Sequence, residues 1–299
     1  MRQPKKPNLN RWKRETKQWL QTSRQVLFES PLAEIEAALG EGGQAVCKFA
    51  VQISVGQVAR WSEMLGGMSV VEGDPSGWSN IHKAMALRAF SARVLAFRKT
   101  PFGVAQSLAL VLVYGLAVGD EALARSMGET ICRAVREGLV SDYNQIGFEP
   151  FSLWLLSQAV GGEWAASFRA PEYGDAYAGI VKHWDDNLAL GGALATALDA
   201  HIEHAIGRTG DDYAQFPEPF DICPVEVVAV QRVRQRLSLP VPTVDHILIT
   251  WPMANLPTSP PPFPDNLVER LRSSVAAKVE KVSEVEKVSG TVSEGTSDN

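Results

Sequence analysis

The chain has 299 residues, of which 45% are hydrophobic and 21% charged, with a net charge of −5. That length and apolar content can fill one large domain or two small ones. The three cysteines, Cys47, Cys132 and Cys223, lie far apart and form no CxxC or other metal spacing. This argues against a disulfide framework or a zinc scaffold, fits a reducing compartment, and marks each cysteine as a small buried hydrophobe.

The N-terminus, "MRQPKKPNLNRWKRETKQWL", is basic and has no apolar segment after its charges, so it does not read as a secretion signal. Residues 1–28 carry eight Lys/Arg against Glu15, a net +7, which leaves −12 on the rest of the chain. A basic arm on an acidic body argues against nucleic-acid binding by the body and suits a partner protein of positive sign. Trp12, Thr16, Trp19, Leu20 and Leu27 fall on one side of a first helix, with most basic residues elsewhere. "GEGGQAV" (40–46) is glycine-rich but lacks dinucleotide-binding spacing and a preceding strand.

In "WSNIHKAMALRAFSARVLAFRKTP", Ile81, Ala84, Leu87, Phe90, Val94 and Phe97 recur at helical spacing, and Pro101 ends the run. "FGVAQSLALVLVYGLAVG" (102–119) is close to the shortest membrane-spanning length. Gln106, Ser107 and internal glycines interrupt it, and it reads as a core helix. "LAVGDEALA" (116–124) resembles "QAVGGEWAA" (158–166): an apolar helix, a glycine cap, then an acidic residue opening the next helix. The expected architecture is therefore all-α, built of stacked antiparallel helix hairpins.

"HWDDN" (183–187) offers two acids, but neighbours on a helix point about 100° apart, so Asp185 and Asp186 form no working dyad. Asp186 or Asn187 suits the cap of the helix that follows. That helix, 190–206, has Leu190, Leu194, Ala197, Leu198, Ile202 and Ala205 on its apolar face. His201 falls at the centre of this face and His204 at its border, while Asp199 and Glu203 lie opposite. Two readings of the histidines stay open. They are core and edge residues, or they are metal ligands completed by His183 or Asp185; zinc would need three or four convergent groups. No nucleophile motif or phosphate loop is present, so no catalytic residue, metal or cofactor is assigned.

In "GRTGDDYAQFPEPFDICP" (207–224), Asp211, Asp212, Glu218 and Asp221 alternate with Tyr213, Phe216 and Phe220. The aromatics either form a docking surface ringed by acids or anchor the loop to the body. "TVDHILITW" (243–251), bracketed by prolines, reads as a loop or short helix. "NLPTSPPPFPDN" (255–266) reads as an extended linker, followed by a helix near 265–280 and a VEKVS-repeat tail that is disordered or a fraying helix. The expected divisions are a basic amphipathic helix (1–30), a helical body (31–256), and a linker, short helix and tail (257–299).

The stretch "ALDAHIEHAIGRTGDDYAQFPEPFDICPVEVVAVQRVRQRLSLPVPTVDHILITWP" (197–252) resembles the C-terminal half of polymorphic-toxin immunity proteins of the immunity protein 49 class. It shares an Ala/Leu/His helix, an acidic loop, the helix "VEVVAVQRVRQRL" and a Leu-Pro-Val turn leading to Asp245, His246 and Leu248. "WSNIHKAMALRAFSARVLAF" and "SLALVLVYGLAVGDEALA" look like that family's middle. The resemblance implies an all-helical cytosolic protein, not an enzyme, that binds and blocks a cognate toxin by occlusion. The candidate contacts are Asp211, Asp212, Tyr213, Glu218 and Asp221, with Asp185 and Asp186 next, against a basic toxin surface. The alternatives are a helical scaffold using its basic N-terminal helix, and a metal-dependent enzyme centred on His183, His201 and His204.

Overall fold

A computed structural model describes residues 8–99, 105–140, 147–164, 172–206 and 216–276, with the backbone alone at 204–206. The fold is all-α, and no strand occurs among the described residues. The α-helices are α1 (Leu9–Arg24), α2 (Ser30–Glu41), α3 (Gly43–Val46), α4 (Phe49–Val71), α5 (Gly77–Phe97), α6 (Ala105–Val118), α7 (Glu121–Arg136), α8 (Phe148–Val160), α9 (Gly174–Lys182), α10 (Asn187–Ile206) and α11 (Val225–Arg236). A further helix, α12, covers 267–276.

The basic N-terminal helix is not a free arm. Asn8 caps α1 by accepting from the Arg11 N–H at 3.0 Å, and Trp12 and Thr16 are buried. Trp19 and Phe28 both stack on Trp61 of α4, at 6.1 and 5.8 Å. The helical path then runs through a π turn (Gln25–Glu29) straight into α2, so no break falls near residue 30.

Helices α4 and α5 form the most extensive pair. They approach closely where glycine faces glycine: a Cβ on Gly66 would sit 2.5 Å from the Gly77 carbonyl oxygen. Only a side chain without Cβ fits, because the obstacle is backbone and cannot swing away. An ion pair with a wholly buried carboxylate reinforces the crossing. Arg88 of α5 donates through Nε and Nη2 to Glu63 of α4 at 2.5 and 2.7 Å.

Helix α6 is the centre of the molecule, touching α5, α7, α8 and α11. Its 14 residues span about 21 Å, short of a hydrocarbon layer about 30 Å thick, and all but Gln106 and Ser107 are buried. No described helix is long and apolar enough to cross a membrane.

The two similar stretches behave differently. After α6, Gly119 turns the chain at φ +74° and the Asp120 side chain accepts from the Leu123 N–H at 3.0 Å, opening α7. After α8, Gly161 and Gly162 both take positive φ, and no helix opens at Glu163 or Trp164. The physical reason is the residue aligned with Asp120. It is Gly162, which has no side chain to cap the next helix.

The proline-rich stretch is packed on the body rather than holding a tail away from it. Leu256 is buried, Phe263 stacks on buried His82 at 5.1 Å, and Asp265 pairs with Lys83. Leu267, Val268 and Leu271 then bury one face of α12 in the main core. The segment 243–251 contains a 3-10 turn at Ile247–Thr250, as its bracketing prolines suggest. All three cysteines are buried. The tail beyond 276 lies outside the described residues.

Candidate functional site: a buried imidazole–carboxylate cluster beneath an acidic helix face

Helix α10 forms where the sequence spacing places it. Asp186 Oδ1 accepts from the Leu188 and Ala189 N–H groups, each at 3.1 Å, which supplies the start signal. Leu190, Leu194, Ala197, Leu198, His201 and Ile202 then point inward.

His201 has no exposed edge. Its Nδ1 lies 2.6 Å from Glu226 Oε1 and its Nε2 lies 3.0 Å from the Phe220 carbonyl oxygen. Phe216 stacks on the ring with centroids 4.1 Å apart and planes tilted by 15°. Glu226 comes from the first turn of α11, where the helix N-terminus also favours a negative charge. Burial pushes the imidazole pKa down. The adjacent Glu226 carboxylate, which both attracts and hydrogen-bonds the ring, overrides burial with help from Asp221 and the Phe220 carbonyl, so the net shift is upward.

Asp221 is drawn into the same region. The sequence reading places its carboxylate at a partner surface, but the residue is buried, as are Phe216 and Phe220 of the same segment. Burial, reinforced by the Glu218 charge, pushes its pKa up to about 7, against opposing pulls from His201, Trp12 and Arg60. The Trp12 indole approaches near enough to lower this pKa, yet Trp12 Nε1 and Asp221 Oδ1 lack a partner of ordinary hydrogen-bond geometry among the described residues. Glu226 Oε2 and the Tyr114 hydroxyl are also buried without one. Cys223 completes the neighbourhood; burial raises its thiol pKa well above the ordinary value, and its Sγ donates to the Met253 carbonyl at 3.2 Å.

This cluster makes folding stability depend on pH. The folded chain holds the Asp221 proton up to about pH 7, whereas an ordinary aspartate releases it near 3.8. The contribution is therefore complete below the unfolded value and is lost as pH rises through the folded one. His201, with its raised pKa, shifts stability in the same direction, losing its contribution as pH rises through its folded value. Between pH 5.5 and 8.5, urea unfolding should show a loss of about 2 kcal/mol from Asp221. Asp221→Asn should flatten the profile, and an Asn variant with the wild-type slope would show that Asp221 does not titrate there.

The other candidate residues sit differently. Glu218 is exposed and tied to Arg60, whose Nη2 lies 3.2 Å from Glu218 Oε2. Asp186 is exposed but committed to its cap. Asp185 is exposed near Arg234, and its charge partly offsets the lowering of the Arg234 pKa by burial. Asp211, Asp212 and Tyr213 lie outside the described residues. The metal reading loses His201, because both of its ring nitrogens are already engaged by protein atoms. No group of three or more potential metal ligands converges among the described residues.

On its outer side α10 presents Leu188, Gly192, Thr196, Asp199 and Glu203 to solvent. Leu188 is 90% exposed and the Asp199 side chain 78%, with His246 Nε2 3.4 Å from Asp199 Oδ1. Sequence spacing places Asp199 and Glu203 on this face; the exposure of Leu188 comes from the structure. The Glu226 partner of His201 comes from another helix and has no signal in the spacing. No family model matches the chain, and no curated protein or solved structure matches it significantly.

Proposed function

We propose that this chain is an immunity protein that binds a cognate antibacterial toxin in the cytoplasm and neutralises it by occlusion, without catalysis. The observation that carries the contact surface is the outer face of α10. A leucine 90% exposed at the helix start is followed by Asp199 and Glu203 on the same side, with Asp185 just before it. An exposed apolar anchor flanked by carboxylates suits a basic protein surface, with the anchor supplying buried area and the charges steering encounter. From Leu188 to Glu203 the face runs about 22 Å, a length suited to about 800 Å² of contact per partner. A firm backing suits recognition, since the opposite side of α10 packs into the core around His201, and interfaces on such pre-organised surfaces ordinarily move little on binding. The toxin reading itself rests on the resemblance over residues 197–252.

The test is co-expression with the product of the adjacent gene. That product should be toxic alone and harmless beside this protein. A Leu188→Asp, Asp199→Lys, Glu203→Lys variant should bind at least tenfold more weakly while keeping its helical circular dichroism. A harmless neighbour, or a triple variant that protects and binds as well as wild type, would refute the proposal.

A second reading draws on the basic α1 face, where Arg14 and Lys17 are exposed. Here the chain is a scaffold for an acidic partner. Because Trp12 and Thr16 belong to the core, removing α1 would damage the fold; Arg14→Glu with Lys17→Glu is the informative change.

A further inference from the structure

A second surface has the opposite chemistry. Between α5, α7 and α12 runs an open groove of about 810 Å³. Its floor is apolar, with Phe90, Val94 and Phe97 from α5 and Val275 from α12. Three arginines stand around it, one from each helix: Arg93, Arg133 and Arg272. Glu129 is the one acidic residue in the lining, so the groove carries a net +2 on a chain whose net charge is −5.

The arginines are not equally occupied. Arg133 is paired with Glu137 one turn on, at 3.0 Å. Arg272 lies over the Phe263 ring at 5.9 Å. Neither Arg93 nor Arg272 has a carboxylate within ion-pair distance among the described residues. Phe97, at the edge of the floor, is 41% exposed, although it belongs to the apolar face of α5. An apolar trough whose mouth holds unpaired guanidinium groups fits a ligand with an apolar body and an anionic head. The planar guanidinium grips a carboxylate through paired N–H donors. The volume lies within the ordinary range of small-ligand sites.

The geometry points to a binding site for an amphipathic carboxylate, a medium- or long-chain fatty acid, with the chain on Phe90, Val94 and Phe97 and the head between Arg93 and Arg272. This site is separate from the α10 face and does not depend on the toxin-binding role.

Displacement of the fluorescent anion 1-anilinonaphthalene-8-sulfonate from the full chain tests it. Octanoate, decanoate and laurate below their micellar concentrations should displace the dye, tightening about fourfold per added methylene. Decanol, which has the same chain without the charge, should compete at least tenfold more weakly than decanoate. Arg93→Ala with Arg272→Ala should weaken decanoate at least tenfold and leave decanol unchanged, and both side chains are exposed, so the fold should survive. Phe97→Ser should weaken all three acids together. The site is refuted if decanol matches decanoate, if the arginine pair makes no difference, or if no acid displaces the dye by millimolar concentration. Displacement by polyglutamate but not by decanoate would assign the arginines to an acidic protein and equally overturn it.

Discussion

Glu226→Ala should destabilise the chain by about 3–5 kcal/mol, as expected when one partner of a buried charged pair is removed. Both side chains of the His201–Glu226 pair are wholly buried. Truncating the glutamate strands an imidazole that has no route to water, with Phe216 covering its face and the Phe220 carbonyl on its other nitrogen. Glu226→Gln keeps an acceptor at the same place and should lose only about 1–2 kcal/mol, while lowering the His201 pKa. Replacing both partners, His201→Phe with Glu226→Leu, removes the polar groups together and should recover much of the Ala loss. Urea unfolding of the four proteins checks the series. If the Ala variant lies within about 1 kcal/mol of wild type, the pair does not carry charge in the folded state.

The second large effect is expected at the α4–α5 crossing. Glu63 is wholly buried and receives two donors from Arg88, while Arg60 lies 4.0 Å away. Arg60 in turn holds both the backbone carbonyl and the carboxylate of Glu218, so Glu63 also orients the clamp on the segment that carries Phe216, Phe220 and Asp221. Glu63→Ala should lose about 3 kcal/mol; Arg88 keeps a partly exposed side chain, which lets water relieve some of its stranded charge. Hydrogen exchange should show the effect spreading to residues 216–223 as well as to α4 and α5. A loss confined to the two helices would mean that Arg60 holds the segment without help.

These two sites differ in how they could be found. Helices α5 and α10 follow from periodicity, because one face of each must leave water and residues one turn apart share that face; α6 follows instead from its apolar run, which is buried nearly all round. The same rotation places His201 inward and Asp199 and Glu203 outward; residue type offers Asp186 or Asn187 as the cap, and Asp186 takes it. Pairings across the fold leave no such trace. Glu63 and Arg88 are 25 residues apart, as are His201 and Glu226, and Lys83 and Asp265 are 182 apart.

Asp221 shows the limit most clearly. Alternating acids and aromatics read as a surface that docks, yet Phe216 and Phe220 enter the core and Asp221, next to Phe220, is buried with them. Local spacing therefore determined the helical class, the inward and outward faces of α10 and its start. Only the tertiary structure decided which charges are buried together, that the proline-rich stretch binds back to α5, and that three arginines meet around one groove. The reason is that burial of a face is a property of consecutive residues, whereas the partner of a buried charge is selected by chain closure over long separations.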